Sequence, residues 1–394
     1  MSKNDENIEF KNSRSFEVYK DFDEMNLHDD LLRGIYSWGF DHPSGIQQRA
    51  IVPIINGIDI IAQAQSGTGK TGAFSIGVLG NLNYSSQSTQ AIIVAPTREL
   101  VHQIYLVISG LSKHLPVNIM YVIGGTEVTN DIKSLKQGAN IIVGTPGRLF
   151  DLIDRGYIYT SSVKTFIIDE ADQMLSSDFK DQIHRILKRI PSDSQIGIFS
   201  ATLPNPVMKL ANHIMRDPIQ ILVKADELTL EGIKQYYVDV NCEDWKYDVL
   251  CDIYQSMNIC QAIIYVNTQK KCDILYERLC DNNFAVSRIH GKMDQTQRNE
   301  IMKNFRGGTT RVLLTTDLLA RGIDVQQVSL VINYDIPNDL ENYLHRIGRT
   351  GRYGKKGVAI NFITKDDYSK VKEIEKYYST QLEALPSNLE SLAS

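Results

Sequence analysis

Short apolar runs recur along this chain, each closed by a turn signal and separated from the next by an amphipathic stretch. The first set is DIIAQ (59–63), AIIVAP (91–96), YVIGG (121–125), NIIVG (140–144), TFIIDE (165–170), IGIFSA (196–201) and IQILV (219–223). Runs apolar at nearly every position suit strands buried on both faces, the condition of a parallel sheet covered by helices. KDQIHRILKRI (180–190) has apolar residues at helical spacing and reads as one such cover. A polar stretch, ADELTLEG (225–232), interrupts the pattern. It restarts with QYYVDV (235–240), QAIIYVN (261–267), AVSRIH (285–290), RVLLTT (311–316), LVINYD (330–335) and GVAINFI (357–363). The chain is predicted to be α/β, with parallel-sheet domains at 21–224 and 233–394 and a linker at 225–232. Residues 1–20 are polar and aperiodic and read as a flexible extension. A length of 394 residues agrees, since one domain usually takes ~100–200.

Composition excludes several classes. Hydrophobic residues are 42% and charged residues 23%, so the chain is neither disordered nor fibrous. No apolar run approaches the ~18 residues that span a bilayer. The opening MSKNDENIEFKNSR lacks the apolar centre of a secretory signal. Cys242, Cys251, Cys260, Cys272 and Cys280 form no CxxC pair, which points to reduced thiols and no cysteine metal site. The net charge of −5 argues against indiscriminate nucleic-acid binding but permits a local basic cleft.

The first strand runs into AQSGTGKT, residues 64–71. Gly67, Gly69 and Gly72 fit the spacing of a dinucleotide fingerprint, which needs an acid about 20 residues on. Residues 81–98 contain none, so that reading fails. The other pattern is a P-loop, one residue short of the strict form because Ala64 stands where glycine is expected. At a strand-to-helix turn, backbone N–H groups and the helix N-terminus form a preformed anion site. Lys70 would reach the β and γ phosphates of ATP, and the Thr71 hydroxyl would ligate Mg²⁺. FIIDEAD brings a second strand with acids at its end. Asp169 would hold Mg²⁺ through water, and Glu170 would orient and deprotonate the attacking water.

The second half has no such loop. Gly291-Lys292 follows a strand without a glycine-rich turn before it or Ser or Thr after it. HRIGRTGR (345–352) places three arginines within eight residues. They can converge on one anion as arginine fingers, or form a basic surface turn.

Taken together, AQSGTGKT, PTREL (96–100), TPGR (145–148), DEAD (169–172), SAT (200–202), ARGID (320–324) and HRIGRTGR resemble the DEAD-box RNA helicases over about residues 20–390. GFDHPSGIQ (39–47), with Phe22 upstream, is similar to the family's adenine-recognition motif. The resemblance implies two RecA-like domains in tandem, with the active site in the cleft between them. It implies that Gln47 reads the adenine edge, that Phe40 lies near the ring, and that Ser66, Gly67, Thr68, Gly69, Lys70 and Thr71 hold the phosphates. Asp324 would contact the ribose, Arg349 and Arg352 would be the fingers, and His345 would join the γ-phosphate network. Ser200 and Thr202 would couple hydrolysis to strand separation. RNA phosphates are expected at Thr97, Arg98, Gly125, Thr145 and Arg148, then at Asn267, Gln295, Arg298 and Thr315. Backbone-directed contacts of this kind make binding sequence-indifferent.

Within the family, LLRGIYSWGF (31–40), DELTLEGIKQ (226–235), DLLARGIDVQQVSLVINYDIP (317–337) and YYSTQLEALP (377–386) are similar to the initiation-factor branch. That branch implies a cytoplasmic monomer unwinding structure in messenger RNA 5′ leaders, with scaffold or initiation-factor proteins as partners and no membrane. Nuclear or nucleolar paralogues share most of these stretches and act in ribosomal RNA processing or as RNA clamps in messenger RNA surveillance. A DNA translocase is disfavoured by the motif set.

Overall fold

Each apolar run between 59 and 223 becomes a strand of one sheet, six of the seven with a strand on either side and YVIGG at the sheet edge. The computed structural model describes residues 8–11, 17–64, 67–176, 179–223, 233–257, 261–317, 328–350, 357–378 and 380–386. The chain divides into two units, 1–224 and 225–394. The linker stretch 225–232 lies outside the described residues.

In the first unit the strands are β1 (Ile8–Lys11), β2 (Ile60–Gln63), β3 (Ala91–Val94), β4 (Ile119–Val122), β5 (Ile141–Gly144), β6 (Thr165–Asp169), β7 (Gln195–Ser200) and β8 (Ile219–Val223). Their order is β1-β8-β2-β7-β6-β3-β5-β4. All pair in parallel except β1, which lies antiparallel on β8 with Ile8 opposite Val223. β1 falls inside the stretch read from sequence as a flexible extension. Its IEFK is too short to show a period, and only the exposed edge of β8 makes it a strand. β3, β5, β6 and β7 are buried along their whole length.

Two helices set the position of the glycine-rich loop after β2. Gly45–Ile55 and Lys70–Gly80 cross so closely that a Cβ at Gly77 would lie 2.6 Å from the Ile54 Cβ. The amphipathic run at 180–190 forms the helix Lys180–Leu187, burying Ile183 and Ile186.

The second unit holds β9 (Ile233–Asp239), β10 (Ala262–Tyr265), β11 (Val286–Ile289), β12 (Val312–Thr315), β13 (Leu330–Asn333), β14 (Gly357–Ile363) and β15 (Glu383–Ala384). The order is β11-β12-β10-β13-β14-β9-β15, all parallel. Among the described residues no helix is long and apolar enough to cross a membrane, and Cys242, Cys251, Cys272 and Cys280 are free thiols.

Candidate active site

Parallel strands deliver their following loops to one edge of the sheet, and ligands of open α/β sheets gather there. In the first unit β2, β7 and β6 are neighbours, so the P-loop, SAT and DEAD segments emerge side by side. β3, β5 and β4 continue the same edge and carry PTREL, TPGR and the Gly124-Gly125 turn.

The loop after β2 needs left-handed backbone at Gly67 (φ 85°) and Gly69 (φ 98°), which glycine adopts without a Cβ penalty. Gly69 caps the helix Lys70–Gly80, so its first N–H groups open toward the loop. Gly67 and Thr68 are exposed, while the buried Lys70 ammonium donates to the Ala64 carbonyl at 2.8 Å. Thr71 is half-buried. Ser66 lies outside the described residues.

Gln47 sits directly on this loop. Its Oε1 accepts from the Ser44 N–H at 2.9 Å, and its Nε2 donates to the Gly69 carbonyl at 3.3 Å. One amide N–H and one oxygen lone pair remain, the complement of an adenine edge that offers one acceptor and one donor. Phe40 packs beside it, 3.0 Å from where a Gly72 Cβ would stand. Phe22, by contrast, is a core residue, edge-on to Tyr36 and fully buried.

Asp169 ends β6, Glu170 follows it, and both are about 3% exposed. Burial, then the neighbouring Glu170 charge, pushes the Asp169 carboxyl well above the usual range, while Lys70 pulls it down. Glu170 has φ 50°, a costly conformation for a residue with a side chain, and such strain clusters at functional sites. The buried Asp169 carboxyl and the half-buried Thr71 hydroxyl are hard oxygen donors, the kind of ligand that fits Mg²⁺.

Asp172, to which no role fell in the sequence, ties DEAD to SAT. Its N–H donates to Ser200 Oγ at 3.3 Å, and its Oδ2 accepts from the Thr202 hydroxyl at 2.8 Å. Ser200 O accepts from Ala64 N at 3.1 Å, and Gln63 Nε2 donates to Ala201 O at 3.3 Å. The SAT segment is therefore bonded both to the strand feeding the P-loop and to the acidic motif.

Further along the edge, Thr97 caps the helix Arg98–Leu111 by accepting from Leu100 N at 3.2 Å. The Arg98 guanidinium lies over the next loop, 2.4 Å from a Cβ built on Gly125. Gly125 itself has φ 83°. Thr145 precedes the helix Pro146–Asp154, and its Oγ1 accepts from Gly124 N at 3.4 Å. Arg148 turns inward. It is buried, ion-paired with Asp131, and donates to Thr126 O at 2.7 Å and Thr126 Oγ1 at 3.3 Å. It holds the loop after β4.

The second unit shows a similar division. Asn267 donates Nδ2 to Ile336 O at 2.8 Å and accepts at Oδ1 from Arg346 at 2.7 Å. Arg346 is fully buried and also reaches Asp317 (2.6 Å), Asn333 (3.3 Å) and Asp335 O (2.7 Å). It is the organising cation of this edge, and nothing in HRIGRTGR separates it from its neighbours. Asp335 accepts from Asn267 N at 3.0 Å and pairs with Lys246 and Lys271. Burial alone would raise its carboxyl, but Lys271, the Asn267 N–H and Lys246 hold it below the usual range. His345 and Arg349 are buried, with Arg349 Nε donating to His345 O at 3.0 Å. Gln295 opens the helix Gln295–Arg306 with Nε2 donating to Asn299 at 2.9 Å, Arg298 is buried, and Thr315 ends β12 fully buried. Asp324 and Arg352 lie outside the described residues.

Comparison with known proteins bears on the family and the fold. Residues 44–210 match the DEAD/DEAH box helicase model, and 245–354 match the helicase conserved C-terminal domain. The eukaryotic initiation factor 4A of Caenorhabditis elegans is 54% identical over 95% of this chain and 94% of its own. An ATP-dependent RNA helicase eIF4A of Yarrowia lipolytica is 53% identical over 95% of each chain. Among solved structures, S. cerevisiae Dbp5 bound to RNA and ADP BeF3 matches with a TM-score of 0.89 and 38% identity, over 93% of this chain and 96% of that one. With two parallel-sheet units and identity of this extent, the chain belongs to the DEAD-box family of ATP-dependent RNA helicases, in the branch of initiation factor 4A.

Proposed function

We propose that this chain couples ATP hydrolysis to local unwinding of messenger RNA 5′ structure during translation initiation, in the cytoplasm and together with initiation-factor proteins. The observation that carries the reading is the 54% identity to an initiation factor 4A across 95% of the chain. In this reading Gln47 pairs with adenine and Phe40 flanks the ring. Gly67 to Thr71 cradle the phosphates, with Ser66 beside them. Thr71 and, through water, Asp169 would hold Mg²⁺, which would supply positive charge to the β and γ phosphates. Glu170 orients a water and takes its proton as the oxygen attacks the γ phosphorus. The bond from that phosphorus to the bridging oxygen breaks, and ADP leaves with phosphate. Arg349 and Arg352 offset the developing charge, His345 supports them, and Asp324 meets the ribose. Thr97, Arg98, Gly125, Thr145, Gln295, Arg298 and Thr315 meet RNA phosphates, which carry no sequence information. Arg148 and Asn267, expected at RNA phosphates as well, also position neighbouring loops through Thr126 and Ile336. Asp172 relays the state of the acidic site to Ser200 and Thr202.

The test is an extract depleted of its own initiation helicase and programmed with reporters bearing structured or unstructured leaders. The full chain is expected to restore the structured reporter preferentially, and Lys70→Ala is expected not to. Equal rescue by Lys70→Ala would refute an ATP-driven role. Failure to rescue, with precursor ribosomal RNA accumulating on depletion in cells, would favour the nuclear reading.

A further inference from the structure

The face of helix Arg98–Leu111 that bears Arg98 continues into a set of aromatic side chains. His102 and Tyr105 follow Arg98 at i+4 and i+7, so all three lie on one stripe. Tyr121, from the edge strand β4, packs against both. The Tyr105 and Tyr121 ring centroids are 4.9 Å apart, and His102 meets Tyr121 nearly perpendicular at 5.6 Å. His102 is exposed, Leu106 beside it is 43% exposed, and both tyrosines are half-buried. The helix sends Leu100, Ile104, Ile108 and Leu111 into the core instead. The rings thus cap the sheet edge and keep part of their surface in solvent.

We propose that His102, Tyr105 and Tyr121 form a stacking platform for one nucleobase of the bound RNA, next to the phosphate held at Arg98 and Gly125. This rests on the reading of Arg98 as a phosphate contact. RNA is the occupant because the platform is continuous with that contact. His102 is four residues, or about 6 Å, along the helix from Arg98. β4 runs from Tyr121 into the Gly124-Gly125 turn over which the Arg98 guanidinium lies. A base attached to a phosphate at that turn is within reach of the rings. Every base has a π-face, so the platform accepts any sequence, in keeping with backbone-directed binding. In a chain of net charge −5 it supplies affinity that does not depend on counterion release.

The experiment is a scan of single abasic positions through an oligouridine strand, with binding to the full chain followed by anisotropy in the presence of a non-hydrolysable ATP analogue. One position is expected to weaken binding roughly fivefold to tenfold, the low end of what one stacked base contributes. That penalty is expected to vanish in His102→Ala and in Tyr105→Leu, and to survive in His102→Phe. The salt dependence should be unchanged in all three variants. Arg98→Ala should instead weaken every strand and flatten the salt dependence, and its failure to do so would remove the phosphate reading while leaving the scan to judge the platform. A scan with no sensitive position, or a penalty that persists in His102→Ala, would overturn the proposal and leave the surface to a protein partner. His102 is exposed, so its variants report on RNA without loss of the fold.

Discussion

Gly72→Ala isolates the contact between Gln47, the side chain proposed to read adenine, and the Gly67–Thr71 loop. Gly72 lies in the first turns of the helix Lys70–Gly80 and has ordinary helical backbone, so alanine meets no conformational strain there. In an exposed helix interior the exchange would stabilise by up to about 1 kcal/mol. Here the new Cβ would stand 2.5 Å from Gln47 Nε2 and 3.0 Å from Phe40 Cε2. Both are the far ends of side chains, so they move aside and the fold is retained. The move breaks the 3.3 Å bond from Gln47 to Gly69 O and turns the amide away from adenine. Two hydrogen bonds to the base are lost, at about 1 kcal/mol each. ATP binding should therefore weaken by about 2 kcal/mol, or roughly thirtyfold. The assay is direct titration with labelled ATP and GTP, beside thermal melting. ATP affinity should fall toward that for GTP, while the melting temperature stays within a few degrees. Gln47→Ala should show the same loss, and combining it with Gly72→Ala should add almost nothing, since both remove one interaction. If Gly72→Ala left ATP affinity within twofold of the parent, or the two losses were additive, the placement of Gln47 as the adenine reader would be refuted.

Other expectations follow from the same geometry. Glu170→Gln should bind ATP normally but turn over ~10²–10⁴-fold more slowly, because an amide cannot take the proton from water; single-turnover hydrolysis measures this, and a rate within twofold of the parent would exclude Glu170 as the base. Thr202→Val removes the 2.8 Å bond to Asp172 and should lower duplex displacement far more than ATP hydrolysis, as parallel assays of the two would show. Among the described residues Asp335→Asn leaves the buried Lys246 with Glu243 as its carboxylate partner, beside the Tyr334 ring, and should cost about 1–3 kcal/mol in denaturant unfolding. Asp335 is held below its unfolded value of about 3.9, so its contribution is complete above that pH and fades as pH falls further. The variant should lack this part of the acid-side slope, and an unchanged slope would discount the Asp335 ion pairs.

The phosphate loop and the strands were legible in the sequence because their signals are local. Gly69-Lys70-Thr71 after an apolar run needs nothing distant to specify a strand, a turn and a helix start. The runs at 91–96, 140–144 and 165–170 are apolar on both faces, and that alone sends them to the middle of a parallel sheet. Tertiary structure decided what pattern cannot encode. IEFK at 8–11 became a strand only because β8 offered an open edge. Three arginines in HRIGRTGR look alike as letters, yet Arg346 is buried among Asp317, Asn333, Asp335 and Asn267, residues drawn from 267 to 335. Arg148 and Asp172 likewise found Asp131 and Thr202 across intervals of sequence that carry no periodic signal. A period is a property of neighbours along the chain and survives in the sequence. The partner of a buried charge is set by which strand ends the sheet order brings together, and that order exists only once the chain has folded.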